Sequence, residues 1–231
     1  MPDIGRFFGV DPITEKYVDW APYVFSGNRV VDSRELEGLE PEHFLSRFNK
    51  PKDLSIKVPS ANAPLQQYYT VIKDSKVNFN DFKEKFNTSP QNILSNSKAT
   101  FNSPVNGDDE KATFKTGNYI KIDIHGPIDL PSYVKVVEKQ ENENHAMAKF
   151  QTMDGHLEKG IIRFDLKQNK DGSITFAITS QSEVDMGILK SNLGPFSEKN
   201  ARAQQIASCQ EVLDNVNKYL QGTEKERGVE Y

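Results

Sequence analysis

The chain has 231 residues, 36% of them hydrophobic, with a mean hydropathy of −0.65, and no window approaches the ~18 consecutive apolar residues of a membrane-spanning helix. A single cysteine, Cys209, excludes an intrachain disulfide framework and a cysteine-based zinc cluster, and 29 basic against 33 acidic residues argue against a broad nucleic-acid footprint. The length suits one to two domains with a packed core, and the first ten residues lack the basic stretch and apolar run of a secretory signal. The expected location is therefore the cytoplasm of the producing cell, with delivery outside it only on a carrier.

Charge is uneven along the chain. Residues 1–40 hold four basic and eight acidic residues, whereas the remainder balances at 25 against 25. The same segment carries Phe7, Phe8, Tyr17, Trp20, Tyr23 and Phe25 with neither helical nor alternating periodicity, the mark of irregular chain that needs a partner surface. Gly5-Arg6-Phe7, Asp11-Pro12, Glu15-Lys16-Tyr17, Trp20, Pro22-Tyr23, Asn28 and Gly38-Leu39-Glu40-Pro41 fall at fixed spacing. On these residues the segment 5–41 resembles the C-terminal end of the RHS-repeat-associated core of polymorphic toxins, which precedes a variable tip domain. The resemblance implies a processing site involving Asp32 and Leu39. Here Ser33 replaces the proline of the family's D-P-x-G-L motif, and Asp32 is further from Gly38 than in that motif. The enclosing shell repeats are absent, so the expectation is a tip cassette separated from its shell or a piece of a longer protein.

Residues 42–66 contain Pro51, Pro59 and Pro64, which predict a linker after a short helix near residues 41–48, because each proline removes a donor and fixes φ. The folded domain is expected over 67–222, followed by a polar tail at 223–231. Tyr69 and Val71 alternate with Thr70 in a first strand, Asn78 or Asn80 caps a helix over 81–86, and a second short helix starts after Ser89-Pro90. Period-2 alternation then marks strands around Ile120-Ile122-Ile124, Val134-Val136, Ala146-Ala148-Phe150, Ile162-Phe164-Leu166 and Ile174-Phe176-Ile178. Between the last two, Asp171-Gly172 suits a tight hairpin in a mostly antiparallel sheet. After Gly194-Pro195 the period becomes 3.6: Ile206, Cys209, Leu213, Val216 and Leu220 predict one helix from Ser197, as cap, to Gln221, closed by Gly222.

A strand, two short helices, a run of antiparallel strands and a long C-terminal helix form the order of the START-like, helix-grip class, an α+β fold in which an antiparallel sheet wraps on that helix. Residues ~115–220 are similar to an uncharacterised family of this class from bacteria and plants, through Gly155, His156, Glu158, Gly160, Phe164, Ser182, Gly194 and Pro195. That family usually places acidic residues after the second glycine, where this chain has Ile161 and Ile162.

His156 and Glu158, two residues apart, would share one face of a strand and are the candidate catalytic acid and base, set against a simple hairpin-turn role. No two histidines have metal-site spacing, Ser182 lacks a nucleophile elbow, Cys209 falls on the apolar stripe, and no glycine-rich phosphate loop is present. No metal and no cofactor are expected. Phe150, Phe164, Phe176 and Ile178 are the candidate lining of an apolar ligand cavity, a property that the resembling class implies, with a fatty-acid-sized molecule as the expected occupant.

Three functions follow. The first is a tip module of an RHS-type toxin system that binds an apolar small molecule or lipid. The second is a toxin enzyme acting on a lipid or small metabolite, and the third an adaptor docking to a secretion component. An RHS shell or a cognate immunity protein is the implied protein partner, with neither nucleic acid nor membrane span.

Overall fold

The computed structural model describes residues 33–36, 40–43, 50–126, 130–193 and 198–230. The chain divides into two compact units, 1–53 and 54–231. In the first, β1 (Ser33–Leu36) and β2 (Glu40–His43) pair antiparallel, with Ser33 opposite His43, and Pro51–Asp53 forms a 3-10 turn. Strand pairing therefore replaces the irregular chain expected up to residue 41 and the start of the helix expected near 41–48; residues 44–48 lie outside the described set, as do Asp32 and Leu39.

The second unit is an eight-stranded, wholly antiparallel sheet. Its strands are β3 (Leu65–Lys73), β4 (Ala99–Phe101), β5 (Tyr119–Ile124), β6 (Leu130–Asn142), β7 (His145–Thr152), β8 (Glu158–Gln168), β9 (Ile174–Val184) and β10 (Thr223–Glu230), in the spatial order β10-β3-β9-β8-β7-β6-β5-β4. Helices α1 (Phe79–Thr88) and α2 (Gln91–Leu94) join β3 to β4, and α3 (Met186–Leu193) precedes the long α4 (Glu198–Leu220). This is the helix-grip architecture: a sheet wrapped on a long C-terminal helix.

Local chemistry accounts for most boundaries. Asn78 caps α1, its side chain accepting from the Asp81 N–H at 2.9 Å, and Phe79, Phe82 and Phe86 form the buried stripe. The turn between β8 and β9 closes with a Gly172 N–H to Asn169 carbonyl bond of 3.0 Å. Only Gly172 has a positive φ there, +80°, so Asp171 keeps ordinary backbone geometry and the turn is longer than the two-residue form.

Helix α4 buries Ala201, Cys209, Val212, Leu213, Val216 and Leu220, while Ile206 is half-buried against the same core. Ser197, its expected cap, lies outside the described residues. At the other end Gln221, with φ +50°, takes the left-handed position expected of Gly222. Gly222 serves close approach instead: a Cβ there would meet the Lys73 carbonyl oxygen at 2.4 Å.

Strand β3 turns Gln66, Tyr68, Thr70 and Ile72 inward, so Thr70 is fully buried and Tyr69 and Val71 face outward. The polar inner residues are satisfied: the Tyr68 hydroxyl donates to Gln66 Oε1 at 3.0 Å and the Thr70 hydroxyl to Asn217 Oδ1 at 3.0 Å. Residues 223–230, read as a polar tail, form edge strand β10 against β3. Their charged side chains keep that edge from templating further strands. Residues 54–64, read as linker, are fastened to the sheet: Ile56 bridges Met153, the Lys57 N–H donates to the Thr152 carbonyl at 2.9 Å, and the Ser60 hydroxyl donates to Glu183 at 2.7 Å.

Candidate binding site

The space between sheet and α4 is filled unevenly. At the end nearer the Asp171-Gly172 turn, α1 inserts Phe82 and Phe86 against the sheet. Phe86 stacks at 6.4 Å on both Phe164 and Phe176, edge-on to the latter, and Phe82 lies 6.2 Å from Phe176. Phe164, Phe176 and Ile178 are 1%, 0% and 0% exposed and belong to this packed aromatic core. They are therefore core residues and not the cavity lining expected of them, because α1 delivers the rings that fill the space. Phe150 alone of that predicted set also lines a cavity.

The cavity, about 130 Å³, lies at the opposite end of the sheet under the first half of α4. Its walls on the sheet side are largely apolar: Phe101, Ile122, Ile124, Val134, Phe150 and Ile162. Over them α4 presents small or slender side chains, Ala201, Gln204, Gln205, Ser208 and Cys209, and this absence of bulk leaves the void. Leu157, Val184, Leu189 and Ala201 form a second small apolar cluster beside it. At the mouth, Lys98 and Gln204 border both the cavity and an open groove, and the Gln204 side-chain amide donates to the His125 backbone carbonyl.

One wall is polar. Glu158, the first residue of β8, is 7% exposed, and Gln205 Nε2 donates to its Oε2 at 2.6 Å. The same amide donates to Ser182 Oγ at 2.8 Å and approaches Ser180 Oγ at 3.3 Å. Arg202 donates to Gln205 Oε1 and, at 2.8 Å, to the Ser182 carbonyl. Burial pushes the Glu158 carboxyl above its ordinary pKa, while the Ser182 hydroxyl and the Arg202 charge oppose that rise. Gly160, opposite Ser182 in the β8–β9 ladder, is required by close packing: a Cβ would fall 2.3 Å from Ser182 Cβ and 2.8 Å from the Gln181 carbonyl oxygen.

His156 lies in the turn between β7 and β8, and so does not share a strand face with Glu158. Its ring engages the Glu158 backbone, not the carboxylate: Nδ1 lies 3.0 Å from the Glu158 nitrogen and 3.1 Å from the Glu158 carbonyl oxygen. Desolvation lowers its pKa to about 4, helped by the charge of Lys57 and opposed by its contact with the Glu158 backbone. Both residues line the cavity, but no direct proton-transfer contact joins them. Gln205 and Arg202, which organise the polar wall, are missing from the sequence-based candidates. Their i, i+3 spacing on a helix is too common to single them out.

Cys209 also borders the cavity, and burial raises its thiol to about 12, with the Glu158 charge adding to the shift. Among the described residues, no group of three or more His, Cys, Asp or Glu side chains could hold a metal ion, and no helix is long and apolar enough to cross a membrane.

The family described as "Domain of unknown function (DUF1990)" matches residues 84–210, more than half of the chain and the stretch that holds Gly155, His156, Glu158 and Gly160. This chain belongs to the DUF1990 family. The match leaves residues 5–41 outside it. No curated protein matches the chain.

Among solved structures, a hypothetical protein of Helicobacter pylori is similar to the DUF1990 chain with a TM-score of 0.51 at 9% identity, covering 71% of this chain and 91% of that one. A conserved protein from Geobacillus kaustophilus has a TM-score of 0.45 at 8% identity, covering 73% and 100%. Major latex-like protein 151 of Panax ginseng has a TM-score of 0.41 at 14% identity, covering 68% and 99%. At these identities the first supports the fold, and none brings an activity to this chain.

Proposed function

We propose that this DUF1990 domain binds a small, ring-sized apolar molecule in the cavity between its sheet and α4. The observation that carries the reading is a void of about 130 Å³ with apolar walls in a core that is otherwise tightly packed with aromatic rings. Its size is close to the ~150 Å³ of an engineered apolar cavity that takes up benzene, and well short of the ~300–1,000 Å³ of a drug-sized site. A fatty-acid-sized ligand therefore does not fit the space as it stands. A compound of seven heavy atoms, at about 1 kcal/mol each, reaches a Kd of about 10 µM.

Affinity in that range calls for an equilibrium titration and not for isolation of a co-purifying ligand. Toluene titrated into the full chain is expected to shift the methyl resonances of Ile122, Val134 and Ile162 in a saturable manner. Ala201→Leu, which places a larger side chain in the cavity wall, is expected to abolish the shifts. Absence of saturable shifts in the parent protein overturns the proposal.

An enzymatic reading with His156 and Glu158 as acid and base draws no support from their geometry, since the carboxylate faces Gln205 and the ring faces backbone. A toxic tip module of an RHS-type toxin system draws on the sequence of residues 5–41 alone. Expression of the full chain in bacterial cytosol tests it: growth arrest would support it, and normal growth at high expression would count against it.

A further inference from the structure

Accepting that the cavity holds a ring compound, its polar wall specifies what the ring must carry. Most donors of that wall are engaged within it. Both N–H groups of Gln205 are taken, one by Glu158 Oε2 at 2.6 Å and the other by Ser182 Oγ at 2.8 Å. The amide cannot be turned around, because Arg202 NH1 donates to Gln205 Oε1. Arg202 also donates to Ser182, at 2.8 Å to the carbonyl and 3.4 Å to the hydroxyl, and is not among the residues that line the cavity. Thr152 and Gly160 bond each other reciprocally, with the Gly160 N–H donating to Thr152 Oγ1 at 2.9 Å and the Thr152 hydroxyl donating to the Gly160 carbonyl at 3.3 Å. The Glu158 N–H is held by His156 Nδ1.

Acceptor capacity is what remains. A carboxylate can accept about four hydrogen bonds, and the Glu158 carboxyl receives the Gln205 amide and the Ser182 hydroxyl, so acceptor sites remain on a group that is 7% exposed and lines the cavity. A buried carboxyl with lone pairs unmet costs more than one that accepts a donor, so a ligand bearing that donor gains what an apolar one forgoes.

We infer that the DUF1990 cavity selects a small ring compound carrying a hydroxyl group, which donates to the Glu158 carboxyl while the ring occupies the apolar walls. Glu158 is then a specificity-determining residue, positioned by Gln205, with Gln205 in turn oriented by Arg202. The elevated pKa of the carboxyl accords with a group waiting for hydrogen bonds that water would otherwise supply.

Phenol and toluene have the same number of heavy atoms and differ in the donor, so their affinities for the full chain at pH 8 form the test. A cavity that reads only apolar surface favours toluene, because the phenol hydroxyl loses its hydration on entry. Phenol is expected to bind about tenfold or more tightly, the factor that a hydrogen bond to a charged acceptor contributes. Contacts between the ligand ring and the Ile122 and Ile162 methyls, read as intermolecular NOEs, locate it in the cavity. In Glu158→Gln, which retains shape but removes the charged acceptor, the preference is expected to fall toward unity. Toluene binding as tightly as phenol in the parent protein overturns the inference, whether or not the variant folds, and leaves ring binding intact. An unchanged phenol preference in folded Glu158→Gln overturns it as well. Saturable binding of neither compound removes the proposed function itself.

Discussion

Replacing His156 by asparagine should change how the protein's stability responds to acid. The His156 ring is held neutral: its folded pKa is about 4 against 6.5 in the unfolded chain, with desolvation the leading cause. Below pH 6.5 the unfolded chain takes up a proton that the folded chain refuses, so stability is fully present above that pH and is lost as pH falls toward 4. Each pH unit in the window costs ~1.4 kcal/mol, which makes about 2 kcal/mol by pH 5 and about 3 kcal/mol by pH 4.

Asparagine removes the titration while its Oδ1 stands in for Nδ1 as acceptor for the Glu158 N–H, so the turn keeps its hydrogen bond. The raised Glu158 carboxyl acts in the opposite direction. Ionising it in the folded state costs stability as pH rises from its unfolded pKa through its folded one, and this contribution is common to both proteins. Urea denaturation followed by circular dichroism at pH 7.5 and pH 5 measures the difference. The parent is expected to lose about 2 kcal/mol more than His156→Asn between those two points. Equal losses, within ~0.5 kcal/mol, would mean that water reaches the ring freely and that the turn does not bury it.

Leu213→Ala removes a fully buried side chain from the face of α4 that rests on the sheet, and the expected loss in chemical denaturation is ~2–5 kcal/mol. Gly160→Ala forces β8 and β9 apart at Ser182, with an expected cost of ~1–3 kcal/mol; a neutral effect would mean that the ladder gives way locally without strain. The Cys209 thiol, buried and raised to about 12, is expected to resist a disulfide reagent such as Ellman's in the native protein at pH 8 and to react promptly in denaturant. Rapid native labelling would show that α4 lifts from the cavity on the timescale of the reaction.

Alternation and helical period were enough to locate β5 to β9, α1 and α4, because each buries one face and its apolar residues repeat at the spacing which that face imposes. They located β3 as a strand but not its inward face, which carries Gln66 and Thr70, made acceptable by Tyr68, by Asn217 on α4 and by Glu224 at 3.4 Å. Nor could they identify β10, whose string TEKERGVE has no apolar face and becomes a strand because β3 offers it an unpaired edge. The candidate site divides in the same way. His156, Glu158 and Gly160 stood out as a local motif, but the partner of the Glu158 carboxylate is Gln205, 47 residues away. Phe164, Phe176 and Ile178 share the alternation of Phe150, yet only Phe150 lines the cavity, since Phe82 and Phe86 of α1 fill the space over the others. Period and composition report which side of an element is buried. Whether the buried side meets another ring or an empty volume depends on what a distant element brings across to it, and that was settled only when α1 and α4 packed on the sheet.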